Sequence, residues 1–199
     1  MILIGSRAAF INNNTLRAPT NNSDWDLISS EDEVIALLTQ HFKYIQHFHE
    51  HAIYNKYNIV INYLQVEYNL EIELIEPESS SYLIAQYCSD LYQESILFDQ
   101  IKVKVPPLEL LYLIKKSHLH IDINWSKHIK DYHALKSQLK LDPLTNQLLQ
   151  SIYQLRVKET NNRNKQPNIN LNVDNEDFFN DKVTRIIEHD KIHEYVKYG

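Results

Sequence analysis

Ile2-Leu3-Ile4-Gly5-Ser6-Arg7 opens the chain, and Ser23-Asp24-Trp25-Asp26-Leu27-Ile28 follows a short distance downstream. The first stretch reads as an apolar strand, a Gly-Ser turn and the start of a helix at Arg7-Ala8-Ala9-Phe10. The second reads as a strand bearing two acids separated by one apolar residue. Side chains alternate along a strand, so Asp24 and Asp26 share a face, roughly 7 Å apart at the backbone, with Trp25 and Leu27 on the other. Two carboxylates aimed together suit a hard cation, and magnesium retains substrate phosphates and water beside one or two such ligands. The upstream turn supplies the phosphate side. Glycine lets backbone approach closely, Ser6 adds a small donor, helix-opening amides attract anions, and Arg7 offers a further phosphate clamp.

A third acid is expected on a neighbouring strand. Leu70, Ile72 and Leu74 alternate with Glu71 and Glu73 within the strand-like region 58–76, which places both glutamates on one face. An exposed strand face would show the same pattern, since charged side chains normally sit outside.

Composition limits the remaining possibilities. With 199 residues and 23.6 kDa the chain fits one domain or a compact pair of subdomains. No apolar run approaches the roughly 20 residues of a membrane span, and no signal-like core follows a basic start, so a cytoplasmic protein without a membrane partner is expected. A net charge of -6 argues against a broad nucleic-acid footprint. The single Cys88 excludes an internal disulfide and, on an apolar helix over 82–92, reads as a core residue.

The expected organisation is α+β, with an α/β core over 1–107 and a helical cap over 108–199. A helix begins at Ser30-Glu31, capped by Ser29 or Ser30. Its stripe Val34, Leu37, Leu38, Ile45 and Phe48 carries it to about Ala52, with His41, His47, His49 and His51 on its surface. One strand is expected over 96–105, closed by Pro106-Pro107. Helices follow over 108–116, 126–139 and 142–158, with Asp142-Pro143 as N-cap and first-turn proline. Residues 160–176 read as a polar linker, and a terminal helix starts near Glu176.

Two clusters lie in the helical half. Lys115, with Ser117 and His118 behind it, is placed to meet the β- or γ-phosphate if its helix faces the Gly-Ser turn. A solvated helix end, where lysine suits the helix dipole, is the alternative. In the terminal helix, Phe179, Val183, Ile186, Asp190 and His193 form one stripe, so an acid and an imidazole continue a docking face. His189, Asp190 and His193 read as a hydrogen-bonded network, or as a second metal cluster serving hydrolysis.

Taken together, Gly5-Ser6-Arg7-Ala8, the loop with Arg17 and Pro19, Asp24-Trp25-Asp26-Leu27-Ile28, Glu71-Ile72-Glu73, Lys115 with Ser117-His118, Lys127-His128 with Asp131-Tyr132, and His189-Asp190 with His193 resemble the nucleotidyltransferase superfamily. This is the DNA polymerase β-like fold, and the resemblance is closest to nucleotidyltransferase-like proteins of phages and large DNA viruses. The resemblance implies a mixed β-sheet core and transfer of a nucleoside monophosphate from a triphosphate such as ATP to an acceptor hydroxyl on RNA, protein or a small molecule. Asp24, Asp26 and Glu73 would hold Mg2+ or Mn2+, and Asp24, Asp26, Glu71 and Glu73 would form the catalytic set. Gly5, Ser6, Arg7, Lys115 and His118 would bind the nucleotide. A catalytically inactive nucleotide-binding or protein-interaction module of the same fold is the main alternative, and a phosphohydrolase using the His189 cluster the second.

Overall fold

A computed structural model describes residues 1–20, 23–51, 56–97, 101–118, 126–164 and 184–187. Among them, eight strands form one mixed sheet: β1 (Ile2–Leu3), β2 (Trp25–Ser29), β3 (Ile45–His51), β4 (Lys56–Tyr63), β5 (Val66–Leu74), β6 (Gln93–Leu97), β7 (Ile101–Val105) and β8 (Thr184–Ile187). Their order across the sheet is β6-β7-β1-β2-β5-β4-β3-β8. The helices are α1 (Gly5–Asn12), α2 (Glu31–His41), α3 (Ser80–Tyr87), α4 (Leu108–Ser117), α5 (Ser126–Gln138) and α6 (Gln147–Asn164). The chain is α+β, as its sequence indicates.

Two contacts fix which face each helix covers. Ser29, on the Leu27 face of β2, donates to the Glu33 carboxylate of α2, whereas Glu73, on the Asp26 face, accepts from Arg156 of α6. The two helices therefore lie on opposite sides of the sheet. α6 packs with α3 and α4, and α4 packs with α1 and α5. Buried residues from both sides, including Leu27, Ile28, Leu38, Ile72, Leu113 and Ile152, merge into one core. The helices after 108 dock on the sheet through the same core as the first half.

Local sequence explains the boundaries. Ser30 and Glu33 complete a capping box at the start of α2, each side chain satisfying a backbone amide of the other. Asn146 accepts from the amides of Leu148 and Leu149 and so opens α6, while Asp142 caps a single 3-10 turn with Pro143 in its first position. The β4–β5 hairpin closes on Leu64-Gln65, with φ of 51° and 65°. Two consecutive left-handed residues make a type I′ turn, here without the usual asparagine or glycine.

Several expected elements are corrected. The helix from Ser30 ends at His41, and a 3-10 turn over Phe42–Tyr44 leads into β3, so His47, His49 and His51 lie on a strand. A register shift between Ile45 and His47 accounts for the misleading spacing. A bulge adds a residue to one strand, which lets Ile45 and Phe48 both turn inward although an unbroken strand would separate them. The single strand expected over 96–105 is a hairpin of β6 and β7. The helix bearing Cys88 stops at Tyr87, with Cys88 as its buried C-cap. Within the expected terminal helix, residues 184–187 are instead β8, paired antiparallel with β3. The expected linker overlaps the end of α6 as far as Asn164, and its remainder lies outside the described residues.

Candidate active site

The two aspartates stand where β2 enters the sheet. β2 runs parallel to β5 in a register that sets Asp26 beside Glu71 and Ile28 beside Glu73. One step earlier the Asn69 side-chain amide donates to Asp24 Oδ1 at 2.9 Å. Asp24, Asp26, Asn69 and Glu71 are thus lateral neighbours on one half-buried face. Of the two candidate glutamates, Glu71 is the one level with Asp26.

Glu73 is engaged elsewhere. Arg156 Nη1 donates to Glu73 Oε2 at 2.8 Å, and Arg156 is only 5% exposed. Its Nε and Nη2 are buried and meet no hydrogen-bond partner among the described residues. An ion pair this enclosed strongly penalises loss of either member. The expected metal set of Asp24, Asp26 and Glu73 is therefore not assembled around one point. Among the described residues, no three His, Cys, Asp or Glu side chains gather closely enough to hold a metal by themselves.

Gly5 lies against Asp26. Its φ is +71°, and a Cβ built there would overlap the Asp26 carboxylate, reaching 2.8 Å from Cγ. This position requires glycine twice over, for the left-handed backbone and for the close approach. The Ile4 amide donates to the Asp26 carbonyl at 2.8 Å, which ties the turn to β2. α1 starts at Gly5, directly against Asp26, with no side-chain cap among the described residues.

Arg7, expected as a phosphate clamp, has partners in the loop before β2. Its guanidinium donates to the carbonyls of Thr20, Ser23 and Asp24, with a shortest distance of 2.6 Å to Ser23, and lies 4.1 Å above the Trp25 ring. Burial lowers its pKa from the ordinary value, opposed by the charges of Asp24 and Asp26. Arg7 fastens the loop that delivers Asp24 to its position.

Lys115 pairs with Asp131 of α5 at 3.6 Å. Arg17 reaches the same carboxylate from the loop after α1, with Nε to Oδ1 and Nη2 to Oδ2 both at 3.3 Å. His118 is the C-cap of α4. The structure therefore sets Gly5 against Asp26, places Asp24, Asp26 and Glu71 on one face, and gives Arg7, Lys115 and Glu73 defined partners. His189, Asp190 and His193 lie outside the described residues.

Arg156 and Asn69 were not anticipated. Arg156 was detectable, because Leu149, Ile152, Arg156 and Thr160 follow helical spacing and all are buried, so the cation occupies a stripe position. Asn69 carried no comparable signal.

Residues 1–88 match a domain of unknown function, DUF7277, and residues 110–199 match a second one, DUF7275. No curated protein matches the chain. The β6–β7 hairpin lies between the two matched stretches, and β8 from the second adds to β3 from the first. Both matched parts thus build a single sheet. No helix among the described residues is long and apolar enough to cross a membrane.

Proposed function

We propose that the chain is a magnesium-dependent nucleotidyltransferase that moves a nucleoside monophosphate from a nucleoside triphosphate to an acceptor hydroxyl. The observation carrying this reading is the lateral set of Asp24, Asp26 and Glu71 on parallel strands, with Gly5 and the uncapped start of α1 pressed against Asp26. The donors are all carboxylate oxygens, which fits magnesium, and a partial protein shell is usual where phosphates and water complete the coordination. Asp24 and Asp26 would hold the ion, which supplies charge neutralisation at the phosphates when bound.

The chain's own groups account for the remaining requirements. Ser6 and the first amides of α1 hold phosphate oxygens. Asn69 orients Asp24 through its amide. Glu71 takes the proton as the acceptor oxygen bonds to the α-phosphorus, the bond to the bridging oxygen breaks, and pyrophosphate leaves. Arg156 holds Glu73 away from this work.

The test is Asp24→Asn with Asp26→Asn, assayed for magnesium-dependent transfer from labelled nucleotides. Loss of transfer with an unchanged melting temperature is expected, and retained transfer would sink the proposal. Glu71→Gln separates the glutamates, since it should lower turnover with little loss of stability. A second reading is a nucleotide-binding module without turnover, for which Gly5 and the start of α1 against Asp26 would serve binding alone. Nucleotide binding that depends on Asp26 but gives no product under any acceptor mixture would select it.

A further inference from the structure

One carboxylate holds two cations from different parts of the chain. Asp131 on α5, 14% exposed at its side chain, receives the Arg17 fork from the loop after α1 and the Lys115 ammonium from α4. The local sum of these three charges is positive. The fork is engaged side-on through Nε and Nη2, the geometry that also suits a phosphate. The loop carrying Arg17 is the one that delivers Asp24, and Arg7 fastens its other end. Asn13, at its start, donates to Gln138 at the end of α5. The loop is therefore held at both ends, and between them the Asp131 carboxylate holds Arg17.

We infer that Asp131 is a placeholder for a polyphosphate: it keeps Arg17 and Lys115 paired until the phosphate tail of a nucleotide takes over their donors. This rests on the nucleotide reading above and adds Arg17 as a binding residue, with Asp131 as a competing internal anion. Arg17 is about half exposed and its planar fork suits phosphate, whereas Lys115 is largely enclosed and contributes as a point charge.

The experiment is isothermal titration of the full chain with inorganic tripolyphosphate, and separately with ATP plus magnesium. Removing the competing charge in Asp131→Asn should tighten tripolyphosphate binding about threefold or more, the scale of one partly exposed ion pair. Arg17→Ala should weaken it by a similar factor, and Arg17→Lys should recover only part of the loss. Weaker or unchanged binding by Asp131→Asn at an unchanged melting temperature overturns the inference. If that variant unfolds, the arginine series decides alone, and equal binding by wild type and Arg17→Ala overturns it. ATP binding that needs Asp24 and Asp26 but ignores Arg17 would leave the nucleotide reading standing without this device. No binding of either ligand by the wild type would remove both.

Discussion

Gly5 and Asp26 are packed so closely that the glycine has no room for a side chain, and the missing Cβ is the space occupied by the carboxylate. Gly5→Ala should therefore lower stability by about 1–2 kcal/mol from left-handed backbone strain alone. It should also displace Asp26, so transfer or nucleotide binding falls by more than the fraction unfolded. Urea unfolding beside a binding titration checks this, and a stable variant with intact binding would contradict it.

Arg156 and Glu73 form a nearly enclosed ion pair joining α6 to β5. Arg156→Ala should cost about 3–5 kcal/mol, because it strands a charge in the core, while Arg156→Met with Glu73→Leu should cost much less than the single truncation. Denaturant midpoints for the single and double variants test the difference. Equal losses would mean that packing of the arginine stem, and not charge, sets the penalty.

The β4–β5 turn places Leu64 and Gln65 at positive φ, and Leu64 is 74% exposed. Replacing the pair by Asn-Gly suits a type I′ turn and should raise stability by about 1 kcal/mol or more. A thermal melt shows the outcome, and a lower melting temperature would indicate that Leu64 has a packing role.

Burial pushes the Cys88 thiol up from 9.0 to about 12, with Lys104 opposing. In the native state it should resist iodoacetamide at pH 8 and react once urea unfolds the chain. The unfolded chain loses this proton above about pH 9 while the native state keeps it, so stability should fall as pH rises from 9 towards 12. Cys88→Ala removes this component of the pH dependence, which pH-resolved unfolding would detect.

Much of the fold could be read directly from local chemistry. The Gly5 turn and the Asp24-Trp25-Asp26 alternation were legible because both follow from backbone geometry over a few residues. The α2 start was legible from Ser30 and Glu33, and α4 from its run of apolar residues. β3 was not, because the shift between Ile45 and His47 disguises a strand as a helical stripe. β8 was missed for a related reason, as its spacing from Val183 to His193 fits a helix, although Thr184-Arg185-Ile186-Ile187 has β-branched residues typical of strands. Within the site, the choice between Glu71 and Glu73 depends on inter-strand register and on Arg156, both long-range features that no local pattern encodes. The pairing of Arg17 with Asp131 is long-range in the same way.

The pairing of β8 with β3 means that four residues far along the chain cover part of a longer strand and become the margin of the sheet themselves. A chain cut before residue 184 would leave the backbone amides and carbonyls of residues 48–51 open to another molecule. Such truncated chains should therefore associate more readily than the 199-residue chain.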